Sequence, residues 1–499
     1  MKKYILTRLL RAIFSIIVVT TIVYALIFTL IPRRQIFTSD PNISKVAGDP
    51  DKKLNYENTV YRRQGYIDYY NSKQLSNEIS KTDKSFSPEG TKKNLEAAQE
   101  WAKDKGHGWK VDQFQNNKEI FATREIPIYE RVLNFYKNLI QFDHPWKIHD
   151  KSNPNLKRYI KFEWNKGMGP AIVGSGTQHK YLFYFDGAFP FIHQNFIKLY
   201  LGDSYPTFSG REVMDVLTSG QGQTKSQEIT LDDGNKMMTS YNLHTAEYQS
   251  PENQDERAKR MFKDDYTDVK SNYQDPSMIK NSFMIGAIAV ILGYLIAIPI
   301  ATHLSQRAGR WIDRFGLFAT TALIALPSLA TIYFYRFLGS SLLGLPDSFT
   351  TYGAGDIKSY ILPTVILALL QIPNNILWIR RFMLDQASSD YVKFARAKGL
   401  NEREIYSKHI LKNAMIPLSN AIPTAVILAI SGATMTETIF LLPGMGKMLP
   451  DAIKSHNNSM VIGLTFIFTT LAVVANLLGD LLMQKIDPRI NLSGKGGRK

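Results

Sequence analysis

DYVKFARAKGLNEREIYSKHILKNAMIP, Asp390 to Pro417, is a polar stretch rich in small residues that separates two strongly apolar segments. Its spacing predicts a helical hairpin. Ala395 and Gly399 lie four apart, so on one continuous helix they share a face and would let another protein's surface approach the backbone. Gly399 is a natural stop. Asn401 then reads as an N-cap with Glu404 three residues on, a capping box, while Leu400 and Ile405 occupy the N′ and N4 positions of a hydrophobic staple. Pro417 has no N–H to donate, so it is expected where the second short helix ends and the next apolar segment begins. A capped polar hairpin between apolar segments reads as a docking loop.

Working outward, the chain has 499 residues, 44% of them hydrophobic, with a mean hydropathy of −0.17. A bare bundle of membrane spans would be more apolar, so a large polar part is implied. Stretches of about twenty apolar residues occur near 12–31, 281–304, 315–338, 360–379, 418–439 and 460–483. The first lacks a small-x-small cleavage site after it and reads as a retained span rather than a signal peptide. Lys2, Lys3, Arg8 and Arg11 precede it, and a cytoplasmic N-terminus follows from the positive-inside rule. Alternating the later spans puts three basic stretches on that same side. They hold Arg307, Arg310 and Arg314; then Arg380, Arg381, Lys393, Arg396 and Lys398; then Lys485, Arg489, Lys495, Arg498 and Lys499. The net charge of +16 therefore needs no nucleic-acid partner, because basic cytoplasmic loops facing anionic lipid account for much of it.

By the same count residues 32–276 lie outside the cell. Ser80 to Gly106 is lysine-rich and reads as a loop followed by an exposed helix from near Thr91, whereas Lys180 to Phe208 is aromatic-rich and reads as the core of a small domain. With no cysteine in the chain, such a region must be held by its own apolar core and by packing on the membrane part, so α+β structure is expected. Asp232 to Met237, DDGNKM, carries a hairpin turn signal.

Motifs for chemistry are missing. There is no G-x-x-x-x-G-K-[ST] for phosphate binding and no H-E-x-x-H, and PGMGK, Pro443 to Lys447, lacks the P-loop spacing. The nine histidines form no ligand cluster. The chain is not expected to be an enzyme, nor to bind a metal or cofactor. Polar groups inside the spans are costly and normally face protein or a wet path. Gln371, Asn374 and Asn375 share a span with Pro373 and either line a pathway beside loosened backbone or join helices. Glu437, just before the turn of Pro443, Gly444 and Gly446, either braces that turn or stands at an outer gate. Asp480 is expected to pair locally, for example with Lys485.

The hairpin resembles the cytoplasmic coupling loop of binding-protein-dependent ABC importer permeases, carried by Ala395 to Ala397, Gly399, Ile410 and Pro417. Phe394 and Lys393 stand where the strict signature has an acidic residue, Asp390 being the nearest carboxylate; Tyr391 to Gly399 is similar instead to the peptide and nickel branch. Thr436 to Ile453, Lys485 to Ile490 and Leu201 to Leu217 extend the likeness. The resemblance implies an all-α polytopic membrane protein of six transmembrane helices, the type I ABC importer permease fold, with a large α+β extracellular domain between helices 1 and 2. It divides the chain into 1–31 (N-terminus and first span), 32–276 (extracellular), 277–486 (permease core, with the coupling loop at 388–417) and 487–499 (basic tail). It assigns ATPase coupling to Asp390, Tyr391, Ala395, Arg396, Ala397, Lys398, Gly399, Asn401, Glu404, Ile410 and Pro417; Gln371, Asn374, Asn375, Glu437, Pro443, Gly444 and Gly446 stand beside these as pathway or gate candidates on the ground of their polarity and place in the spans, with packing or bracing as the alternative. It also implies a homologous second permease chain, two ATP-binding subunits carrying ATP and magnesium, an extracellular lipid-anchored peptide-binding protein and an oligopeptide substrate. The rival reading is an external sensor or adhesion domain anchored by its spans; one span would suffice for that, and it has no use for a capped hairpin.

Overall fold

Apolar runs too long for a soluble core become the longest helices. A computed structural model of the chain describes residues 2–486 except 107, 166–168, 186–191, 209, 221, 231–233, 263 and 269. The helices Lys2–Leu30, Met278–Gln306, Lys358–Ala387 and Asn458–Ile486 have 29, 29, 30 and 29 residues, enough at about 1.5 Å per residue to cross about 30 Å of hydrocarbon. With Glu402–Ile439, five helices among the described residues are long and apolar enough to span, or six if one bent pair counts as a span.

That bent pair corrects the expectation of a continuous span near 315–338. Trp311–Ala325 and Ser328–Leu343 meet at 104°. Pro327 removes a donor and forces Leu326 out of the helical region, to φ −70 and ψ 136. The pair nevertheless carries the chain along the bundle. It starts where Asp313 accepts from Arg380 at 2.7 Å, and leads to Phe349, whose N–H donates to the carbonyl of Phe440 at 2.8 Å near the opposite end.

Two other prolines were expected to interrupt helices and do not. Pro417 lies inside the helix Leu411–Gly432, which continues a π-helical segment, Ile405–Ile410, and Pro373 lies inside the unbroken Lys358–Ala387. A proline removes one N–H from the ladder and crowds the carbonyl four residues earlier, which kinks a helix without having to end it. Ending the helix within the bilayer would strand several backbone groups, a larger cost. Asp480 also departs from expectation: it pairs with Arg8 on the first helix rather than with Lys485.

The bundle packs around Met278–Gln306 and Lys358–Ala387, where Ala297 and Ala301 of one meet Ile372, Ile376 and Ile379 of the other. Small residues there let the backbones approach, as membrane interfaces require.

Residues 32–276 hold strands and short helices in two lobes. In the first, Ile120–Glu125 pairs antiparallel with Ile67–Tyr70 and Lys110–Gln113 over a core of Leu75, Ile79, Phe86, Ala98, Ile120 and Ala122. The helix Lys92–Lys105 starts after Thr91, whose hydroxyl accepts from the Asn94 N–H, and stops at Gly106. Ser80 to Gly106 is thus less exposed than the sequence suggested, since Phe86, Ala98 and Ala102 are buried. In the second lobe Tyr159–Asn165, Gly169–Ser175, Tyr181–Phe185 and Ile192–Gln194 form a four-stranded sheet. One of its faces, with Ala171, Val173, Tyr181 and Tyr184, packs on Ala246 and Tyr266. Gln227–Thr230 and Lys236–Thr239 pair as a hairpin; its turn positions 231–233, part of the 180–208 aromatic run and the tail from 487 lie outside the described residues.

The lobes are tied to the bundle by the start of the last helix. Asn457 donates to Ser204 Oγ and Thr207 Oγ1, both at 2.7 Å, Asn458 to Tyr66 Oη at 2.8 Å, and Ser459 to Gln64 Oε1 at 3.0 Å.

Candidate coupling hairpin and outer cluster

The hairpin begins as Asp390–Ala397 and breaks at Gly399, which adopts φ +80, a left-handed conformation that glycine takes without steric cost. Asn401 Oδ1 accepts from the Glu404 N–H at 2.8 Å. The reciprocal half of the box is replaced: the Glu404 carboxylate accepts from Lys408 Nζ at 3.3 Å. Leu400 remains exposed while Ile405 is fully buried, so the expected staple is supplanted by packing of Ile405 into the bundle.

Ala395 and Gly399 do not share a docking face. Ala395 turns inward and is buried with Val392, Ile405 and Ile410 against Leu304, Ile379 and Met383, because the helix ends at Ala397 and Gly399 belongs to the turn. The outward surface includes instead Lys393, Phe394, Arg396, Ala397, Lys398, Gly399, Leu400 and Asn401. Across the turn Arg396 forks onto Glu402, with Nε at 2.7 Å and Nη2 at 3.2 Å from the two carboxylate oxygens, which fixes the angle between the two arms. Lys393 pairs with Asp390 at 2.8 Å. Tyr391 Oη donates to Gln386 at 3.0 Å, and Tyr406 Oη donates to the Ser305 carbonyl at 3.3 Å. The hairpin is therefore tied to two long helices, Lys358–Ala387 through Gln386 and Met278–Gln306 through Ser305.

At the other end, Glu437 is 2% exposed. Its Oε1 accepts from Ser282 Oγ at 2.5 Å and its Oε2 from the Lys447 N–H at 2.7 Å. Ser282 Oγ in turn accepts from the Met445 N–H at 2.7 Å, and Asn281 donates to the Pro443 carbonyl at 2.7 Å. The carboxylate sits at the N-terminus of Met445–Lys454, where unpaired N–H groups favour an anion. A Cβ on Gly444 would lie 2.2 Å from Glu437 Cδ, so only glycine fits there. This geometry is that of a brace between the Met278 helix and the Pro443–Gly446 turn.

Gln371 and Asn375 face the other long helix: a Cβ on Gly293 would meet Asn375 Nδ2 at 3.5 Å and Gln371 Cβ at 3.9 Å. Asn374 is exposed. Sequence reasoning missed Ser282, Asn281 and the Asp313–Arg380 pair. The signals were present: two adjacent polar residues opening an apolar run, and one carboxylate amid arginines in RAGRWIDRFG, Arg307 to Gly316.

The fold is that of a helical, multi-pass membrane protein whose hairpin and braced turn stand at opposite ends of one bundle. Residues 289–492 match the family of binding-protein-dependent transport system inner membrane components. The oligopeptide transport system permease protein AmiC of Streptococcus pneumoniae is 51% identical over 500 residues, covering 100% of both chains. The dipeptide transport system permease protein DppB of Lactococcus lactis is 30% identical over 212 residues, 42% of this chain and 69% of that protein. A structure of the methionine ABC transporter MetNI in inward-facing conformations aligns with a TM-score of 0.36 at 15% identity, over 42% of this chain and 94% of its own, too slight a likeness to bear on the fold. The chain belongs to the binding-protein-dependent transport permeases.

Proposed function

We propose that this chain is one of two homologous permease subunits of an ATP-driven importer of oligopeptides. The observation that carries the reading is the full-length identity with an oligopeptide permease: the match includes residues 32–276, whereas the dipeptide permease covers 42% of the chain. In this reading six spans cross the membrane, the bent pair Trp311–Ala325 and Ser328–Leu343 counting as one, with both termini in the cytoplasm and residues 32–276 outside. Two ATP-binding subunits, holding ATP and magnesium, dock on the 388–417 hairpin through Lys393, Phe394, Arg396 and Lys398. Their closure pushes the hairpin, and the buried contacts of Val392, Ile405 and Ile410 pass that push to the bundle, a two-state element rocking between inward- and outward-open forms. Asn374 faces the pathway, Gln371 and Asn375 join helices, and Glu437 with Pro443, Gly444 and Gly446 keeps the outer end in register. A lipid-anchored peptide-binding protein delivers substrate to the outer lobes. Family membership leaves the sensor or adhesion reading without support.

The test is reconstitution. The chain purified with its partners in liposomes should take up labelled oligopeptide only with ATP inside the cytoplasmic face and binding protein outside. Purification without two P-loop proteins, or uptake indifferent to ATP, would refute the proposal.

A further inference from the structure

A stripe of large apolar side chains lies open on the outer lobes. Tyr129 and Leu133 of the helix Ile128–Leu139 are 67% and 65% exposed, and Ile140, Phe142 and Ile197 of the following strand pair are 52%, 60% and 52% exposed. The position of this edge against the first membrane helix identifies what covers it. The two helices run antiparallel: the Arg131 guanidinium lies over the Phe28 ring at 5.4 Å, and the Phe135 ring is 5.6 Å from that of Tyr24. Further along, Tyr136 Oη donates to the Ile17 carbonyl at 2.9 Å and lies 2.9 Å from Thr21 Oγ1.

The apolar stretch Leu6–Leu30 has 25 residues, and crossing the hydrocarbon takes about 20. Even if the whole surplus of about five residues lies at the Leu30 end, the hydrocarbon begins near Ala25. Thr21 is then about 6 Å below that level. The helix Ile128–Leu139 therefore descends to the depth of lipid before Ile140 begins. Its exposed residues continue the lipid-facing surface of the first helix, on which Ile17, Ile22 and Leu26 are exposed. The three-residue strands Ile140–Phe142 and Ile197–Leu199 leave open backbone edges, which hydrocarbon does not tolerate, so the seat is shallow. Lys137 on the same turn is exposed and long enough to reach headgroups.

We propose that this edge is a monotopic membrane contact, with Leu133, Ile140 and Phe142 among phospholipid acyl chains just beneath the headgroups of the nearer leaflet and Tyr129 at the level of the headgroups. It anchors the lobes against the bilayer beside the first span. The cysteine-free chain permits a direct test in nanodiscs of phosphatidylethanolamine and phosphatidylglycerol. Single substitutions Leu133→Cys, Ile140→Cys and Phe142→Cys carry a nitroxide, with Ile22→Cys as the lipid reference and Ser85→Cys as the aqueous one. Oxygen concentrates in hydrocarbon and a soluble nickel complex in water. The ratio of their collision rates at Ile140→Cys and Phe142→Cys should exceed that at Ser85→Cys several-fold and approach that at Ile22→Cys. A ratio equal to that at Ser85→Cys would overturn the proposal by placing the edge in water. Exclusion of both reagents would overturn it by showing that protein covers the edge.

Discussion

At Gly399 a single torsion sets the shape of the hairpin. Space is not the constraint, since nothing lies within 4 Å of where a Cβ would stand; the constraint is φ +80. A β-branched residue forced into left-handed backbone costs about 1–2 kcal/mol, and the arms would reopen around the Arg396–Glu402 fork. Gly399→Val should insert normally and transport poorly, with Gly399→Ala between it and the parent. Peptide uptake at the parental rate by correctly inserted Gly399→Val would remove the hairpin from the mechanism. Glu437 makes a different kind of demand. Replacing it by Gln turns an acceptor into an N–H₂ group facing the donors Ser282 or Lys447. A buried donor left without a partner costs about 1–3 kcal/mol. Glu437→Gln should therefore lower the melting temperature of the detergent-solubilised protein; an unchanged melting curve would show that the brace carries no load.

Among the elements, the long helices were legible because twenty apolar residues have few alternatives, and the helix Lys92–Lys105 was legible because Thr91 and Gly106 are a cap and a stop. What the sequence did not disclose was the response of a helix to proline. Pro327 breaks its span by 104° whereas Pro373 and Pro417 leave theirs continuous, and only the packing around each decides between a break and a kink. The inward turn of Ala395 was likewise invisible, because periodicity names a shared face without saying which neighbour it meets. Buried polar pairs across long separations share this limit. His179 shows the consequence for the second lobe: its ring nitrogens lie 3.0 Å from Asp143 and 3.6 Å from Glu247. Burial pushes the imidazole's pKa down, but hydrogen bonds and charge from Asp143 and Glu247 push harder, and the net direction is up from 6.5. A proton held more tightly in the folded lobe stabilises it fully below the unfolded pKa, and that contribution fades as pH rises through the elevated folded value. Amide exchange in the strands Tyr181–Phe185 and Ala246–Tyr248 should quicken as pH is raised past about 6.5, after correction for intrinsic chemistry. His179→Gln should flatten the dependence; a parent lobe whose corrected exchange is flat across that range would contradict it.

For the whole molecule, sidedness and docking are the open quantities, and the absence of cysteine makes both accessible. A membrane-impermeant thiol reagent applied to wall-free cells should label Ser85→Cys and Ser226→Cys and spare Ser407→Cys, all three being exposed positions. The reverse pattern would invert the assembly and detach the hairpin from any cytoplasmic ATPase. Docking of a binding protein is then a question about the lobes of residues 32–276. Deleting Ser80 to Gly106 is a poor probe, because it would remove Phe86 and Ala98 from the core of the first lobe. Lys92, Lys93 and Lys103 are better probes, for they are exposed on the helix Lys92–Lys105 and lie outside that core. Charges at the rim of an interface act mainly by steering encounter, with an effect that salt screens within about 10 Å at 0.1 M. If the lobe receives a peptide-loaded binding protein, Lys92→Glu with Lys93→Glu and Lys103→Glu should slow association several-fold at low salt, leave dissociation nearly unchanged, and converge on the parent as salt is raised. Association rates that match the parent at every ionic strength would assign this helix to the support of the lobe alone.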